Sequence, residues 1–124
     1  MAAEFTGIAQ IAMPVRDIER ATVFYRDTLG LPLLMNAPNM AFLDCGGVRL
    51  YLDGNPGGGE AGGNSLIYLR TSNIDQTYAS LQQQGVEVHK EPHIIAKLPD
   101  RDIWLMWIRD CESNLLGVME ERRK

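Results

Sequence analysis

Apolar and polar positions along the chain fall into one arrangement that occurs twice. The first apolar run, residues 8–15, reads as a strand and stops at Arg16-Asp17. Asp17 is suited to cap a helix, because a carboxylate accepts the orphan N–H groups of a first turn. From Ile18 the apolar residues Ile18, Ala21, Phe24, Tyr25 and Leu29 recur at helical spacing, and Gly30 supplies the left-handed residue that ends a helix. Phe24-Tyr25 is expected to pack that helix onto the core. Three strands follow at residues 32–36, 40–45 and 48–53, with Gly46-Gly47 as the tight turn of a hairpin.

Residues 54–64 hold six glycines and no periodicity, which reads as a linker. They lack the Lys-Ser/Thr pair and the following helix of a phosphate-binding loop. The order then returns. Residues 65–70 read as a strand, Ser72 or Asn73 as a cap, Ile74, Tyr78 and Leu81 as a helical stripe, and Gly85 as its stop. Further strands are expected at residues 86–89, 103–109 and 115–120, the last two joined by the polar turn 110–114. Gln82-Gln83-Gln84 reads as a solvated helix end and residues 120–124 as an exposed polar tail.

Shifting the first half by 56 residues lays Val15-Arg16-Asp17-Ile18 on Thr71-Ser72-Asn73-Ile74. The chain is therefore read as strand–helix–three strands, repeated. The expected fold is α+β. Two βαβββ modules, about residues 5–53 and 65–121 of a single domain 1–124, form a curved eight-stranded mixed sheet around a concave cavity, with helices on the convex face.

Composition narrows the function. The 124 residues are 45% hydrophobic and 23% charged, as in ordinary globular proteins. Twelve basic against sixteen acidic residues give a net charge of −4, which argues against nucleic acid as a partner. The acidic excess is read as solubility rather than as attraction for a cationic ligand. Cys45 and Cys111 stand at no metal-binding spacing and suit a reducing cytoplasm. No signal-like or membrane-spanning apolar run occurs, so a soluble cytoplasmic protein with no membrane partner is expected.

Three segments, IAQIAMPVRDIERATVFYRDTLGL (residues 8–31), FLDCGGVRLYL (42–52) and DIWLMWIRDCESNLLGVME (102–120), resemble the glyoxalase/bleomycin-resistance/extradiol-dioxygenase superfamily, the vicinal oxygen chelate proteins. The first looks like the family's opening strand and helix. The last looks like its closing strand pair around a turn, here Asp110-Cys111-Glu112-Ser113-Asn114. The resemblance implies four inward positions around a divalent metal, which fall on Gln10, Tyr51, Leu66 and Gly117. A glutamine carbonyl can bind a hard cation, a neutral phenol is a poor ligand, and Leu66 and Gly117 offer no side-chain donor. No cofactor is therefore expected, and no residue is assigned as a metal ligand.

Other residues are candidates for the chemistry. His93 follows Pro92 in the segment 91–101, read as a long loop where the family often places a pocket-covering segment. It is the candidate proton-transfer group or ligand hydrogen-bonder, with Glu91 beside it, whereas His89 ends a strand. Trp104 and Trp107, three apart in one strand, point to opposite faces; one lines the cavity with Tyr51 and the other packs as core. Met35, Met40, Met106 and Met119 read as adaptable core filler.

The expected function is the binding of a small organic molecule in an apolar, aromatic-lined cavity by Gln10, Tyr51, His93 and Trp104 or Trp107, with a degenerate metal site. The alternatives are a lyase, isomerase or dioxygenase with an altered divalent-metal site, a metal-free acid–base catalyst using His93, or a domain without ligand. A homodimer is expected, swapped or unswapped through the glycine-rich linker.

Overall fold

The computed structural model describes residues 3–4, 6–55 and 66–124. The linker expected at residues 54–64 therefore lies outside the described residues beyond Asn55. The chain divides into two compact units, Met1–Glu60 and Ala61–Lys124.

In the first unit, β1 (Gln10–Pro14) leads into α1 (Ile18–Val23), then β2 (Leu33–Ala37), β3 (Met40–Cys45) and β4 (Val48–Asp53). The Asp17 carboxylate accepts the Arg20 N–H at 3.1 Å, so the cap read from the sequence is in place. The helix then loosens into a π-helical turn, Phe24–Thr28, closed by Leu29 N–H to the Phe24 carbonyl at 3.0 Å, before Gly30 ends it at φ 78°. The widened turn seats Tyr25 in the core, where its hydroxyl donates to Met13 Sδ at 2.8 Å. Gly46 and Gly47 at φ 62° and 93° make the tight turn between β3 and β4, a conformation that a side chain would resist.

The strand order is β1-β4-β3-β2, with β1 parallel to β4 and the other pairs antiparallel. Alternation along the strands separates two faces. Met13, Ala41, Leu43, Leu50 and Leu52 are buried on the α1 side. Gln10, Ala12, Phe42, Arg49 and Tyr51 stand on the other.

The second unit repeats the wiring. β5 (Ile67–Arg70) leads to α2 (Ile74–Gln83), then β6 (Glu87–Lys97), β7 (Arg101–Arg109) and β8 (Leu115–Arg123), in the order β5-β8-β7-β6. Asn73 caps α2 by accepting the Gln76 N–H at 3.0 Å, and Gly85 at φ 75° follows its end. Ile74, Leu81, Met106, Ile108, Leu116 and Val118 are buried on the helix side. The fold is thus α+β, two βαβββ modules with a four-stranded mixed sheet each.

Three local expectations are corrected. The segment 91–101, read as a loop, is mostly strand: β6 runs on to Lys97, and register shifts at three places hide it from an alternation test. The tail at residues 120–124 is not all exposed. β8 continues to Arg123, Glu120 is buried on the helix side, and its carboxylate accepts the Ile74 N–H at 2.8 Å and two bonds from Arg122. Of the four methionines read as filler, Met106 is fully buried while Met35 is exposed on β2.

The turn between β7 and β8 is polar as expected, yet buried. Asp110 Oδ1 accepts the backbone N–H groups of Glu112 and Asn114 at 2.8 Å each, and its Oδ2 accepts the Asn114 side-chain amide at 2.9 Å. Glu112 and Asn114 have no exposed surface. One carboxylate thus satisfies donors that burial would otherwise leave unpaired. No helix among the described residues is long and apolar enough to cross a membrane.

Candidate functional site

Strand register sets which side chains share the sheet face away from each helix. In the first unit, Gln10 on β1 is the Cα partner of Arg49 on β4, and Arg49 in turn pairs with Asp44 on β3. The next row on that face runs Ala12, Tyr51, Phe42, Met35. Gln10 and Tyr51, the two positions singled out in this half of the sequence, are therefore diagonal neighbours on one surface. Arg49, between them along the chain, completes the group. Its Nε donates to Gln10 Oε1 at 2.9 Å, and its guanidinium carbon sits 4.9 Å from the centre of the Phe42 ring. Phe42 and Tyr51 lie 5.1 Å apart, tilted by 44°. A half-buried aromatic pair is thus edged by one cation held from two sides.

The second unit presents a matching row, Tyr68, Gly117, Trp107, Lys90. The bulky and small positions are exchanged: Ala12 and Tyr51 in the first half correspond to Tyr68 and Gly117 in the second. Tyr68 and Trp107 meet edge to face at 5.3 Å above Gly117. An added Cβ there would lie 2.9 Å from Tyr68 Cδ2, so the edge-to-face pair in this position requires the glycine. Leu66, just ahead of β5, is exposed.

The register also separates the tryptophans. Trp107 pairs with Gly117 and shares its face, whereas Trp104 pairs with Glu120 on the helix side, beneath the Arg122 guanidinium at 4.8 Å. The Trp104 indole N–H is buried there without a hydrogen-bond partner. Trp107 is therefore the tryptophan of the site face.

His93 pairs with Leu105 on the same face, one row along from Trp107, half-buried. Its Nδ1 lies 2.8 Å from the Glu91 carbonyl. A carbonyl only accepts, so Nδ1 carries a proton in this contact, and the tautomer that makes it has its lone pair on Nε2. The Glu91 side chain does not join it. That carboxylate faces Tyr78, whose phenol is pushed up from its usual pKa by burial first and then by Glu91. His89 is exposed. Cys45 offers no ready nucleophile, since burial and then Asp44 push its thiol up and keep it protonated at neutral pH.

The metal implied by the resemblance does not fit these residues. The Gln10 oxygen that would face a cation already accepts from a guanidinium, whose positive charge beside it disfavours a second cation. Among the described residues no group of three or more His, Cys, Asp or Glu side chains is gathered to hold a metal.

Clefts among the described residues lie within each unit. One, about 520 Å³, runs between α1 and the turn joining β2 to β3, lined by Thr22, Arg26, Asn36 and Asn39. Another, about 540 Å³, is edged by Arg70, Arg101, Glu121 and Arg123 at the end of the second sheet, with Arg101 committed to Asp100 and Glu121 at 3.0 Å.

Sequence reasoning missed Arg49, because an arginine in an alternating strand reads as a solvated position. Its only signal was two-residue spacing from Tyr51, which puts both on one face.

Comparison with known proteins agrees with this architecture. The chain is 28% identical over 128 aligned positions to the uncharacterized protein YraH of Bacillus subtilis, covering 90% of this chain and 95% of that one. It is 27% identical over 112 positions to metallothiol transferase FosB of Staphylococcus epidermidis, covering 89% of this chain but only 63% of the transferase. The crystal structure of lactoylglutathione lyase from Agrobacterium tumefaciens superposes with a TM-score of 0.74 at 21% identity, over 94% of this chain and 95% of the lyase, a likeness of fold. The profile of the Glyoxalase/Bleomycin resistance protein/Dioxygenase superfamily matches residues 7–96, and the chain belongs to that superfamily.

Proposed function

We propose that this protein binds a small organic molecule without a divalent metal, on the aromatic faces that its two sheets turn away from their helices. The observation that carries this reading is the bond from Arg49 Nε to Gln10 Oε1, which commits the glutamine oxygen among the four positions implied by the resemblance to a side chain already present. Phe42, Tyr51, Tyr68 and Trp107 supply flat apolar area, and burying a ring's surface is the main source of affinity in such sites.

The test is a thermal-shift screen of aromatic fragments against protein purified without added metal, paired with elemental analysis of the same preparation. Fragments are expected to raise the melting temperature with no stoichiometric divalent ion present. Trp107→Ala and Tyr51→Ala are expected to remove the shift. A tightly held equivalent of zinc, manganese or iron, lost together with fragment binding in Gln10→Ala, would falsify the reading.

A second reading is favoured by one observation: His93 Nδ1 contacts the Glu91 carbonyl, and the tautomer that makes this contact has Nε2 as a base on the Trp107 face. Proton abstraction from a bound ligand by His93 then makes the protein a metal-free catalyst. Solvent-deuterium exchange into bound fragments, followed by mass spectrometry, decides between them. Exchange that disappears in His93→Gln supports catalysis; no exchange in the wild type leaves binding alone.

A further inference from the structure

We infer that Arg49 is the anion-binding element of this site, so that the ligand is an apolar, ring-bearing molecule carrying a carboxylate, sulfonate or phosphate. The inference rests on the binding reading above and names the class of molecule bound.

The guanidinium is held but not neutralised. Nε donates to Gln10 at 2.9 Å and one face lies against Phe42 at 4.9 Å. The neighbouring carboxylate is turned elsewhere: Asp44, the Cα partner of Arg49, accepts the Gly47 N–H at 2.9 Å through Oδ1. Four other arginines among the described residues are paired with carboxylates. Arg26 pairs with Asp27, Arg101 with Asp100 and Glu121, Arg109 with Glu87, and Arg122 with Glu120 and Asp75. In a chain with sixteen acidic residues, a cation positioned by an amide and a ring rather than by a carboxylate keeps its Nη donors for something else.

Those donors form a fork that matches two oxygens of an anion, and fixing Nε beforehand reduces the freedom lost on binding. The Phe42–Tyr51 pair beside it supplies the surface for the apolar body. A cationic ligand would meet a like charge at this position.

The experiment uses two dyes with the same aromatic body, 1-anilinonaphthalene-8-sulfonate and its neutral analogue N-phenyl-1-naphthylamine, titrated by fluorescence into the full chain. Wild type is expected to bind the sulfonate about tenfold or more tightly than the neutral dye, the range set by a charge-assisted hydrogen bond. Arg49→Met is expected to abolish that preference, weakening the sulfonate about tenfold more than the neutral dye. Arg49→Lys is expected to restore part of it, since a point charge remains without the fork. Arg70→Gln, in the cleft at the end of the second sheet, is expected to change nothing. If both dyes bind and Arg49→Met keeps the preference, or Arg70→Gln loses it, the role of Arg49 is wrong although binding stands. If neither dye binds wild type, the binding reading fails and this inference with it.

Discussion

At the scale of single residues, the site face depends on a missing side chain. A Cβ at position 117 would sit 2.9 Å from Tyr68 Cδ2 and 3.2 Å from Trp107 Cζ3. Tyr68 is half exposed, so its ring can swing aside, and Gly117→Ala is expected to cost only about 1 kcal/mol of stability. The edge-to-face pair is lost all the same, and near-ultraviolet circular dichroism in the tryptophan region is the readout. An unchanged spectrum contradicts the packing described. Asp110 is the opposite case. Asp110→Ala removes the acceptor of three hydrogen bonds in a buried turn, and chemical denaturation should show a loss of about 3 kcal/mol.

Glu120 makes the stability pH-dependent. Hydrogen bonds from Arg122 first, and from the Ile74 N–H, hold its carboxyl below the usual range against the opposing effect of burial. A carboxyl depressed in the folded state stabilises the fold fully above its unfolded value of about 4.3, and that contribution fades as pH falls through the folded value. The stability difference between wild type and Glu120→Gln, measured in urea, should be largest at neutral pH and shrink below pH of about 4. A difference that is flat from neutral to acid pH excludes this role.

At the scale of elements, the helices were readable because their signals are local. Asp17 and Asn73 sit 56 residues apart, both cap, and Gly30 and Gly85 follow the helix ends with positive φ. Asn73→Ala should cost about 1 kcal/mol, with α2 fraying first in hydrogen exchange. Protection of α2 equal to wild type would show that Glu120, which holds the Ile74 N–H, caps the helix alone. The strands β6 and β8 were less legible. β6 shifts register between Val88 and Lys90, Lys90 and His93, and Ile94 and Ala96, so apolar residues do not alternate along it. The end of β8 looks like a charged tail because Glu120 and Arg122 pair with each other on the helix side, with Arg122 also lying over Trp104. Pairing partners far along the chain, not local pattern, make these segments strands.

At the scale of the molecule, duplication was the strongest signal in the sequence, and it gave the wiring of both sheets. The candidate site was legible only in part. Gln10 and Tyr51 came from the resemblance, and their shared face follows from the register. Arg49 did not, because its importance arises from facing Gln10 across a parallel strand pair 39 residues away in sequence. Nor did the choice between Trp104 and Trp107, which a one-residue change of register would invert. The relatives show what the fold carries elsewhere. The proposed function turns on the Arg49 guanidinium that engages Gln10.

Titration of the anionic naphthalene dye into wild-type protein, before and after exhaustive dialysis against EDTA and again after addition of zinc, manganese or magnesium, tests that metal-free reading directly. The account predicts one binding curve under all these conditions. Affinity that vanishes with EDTA and returns with one of the ions would contradict it.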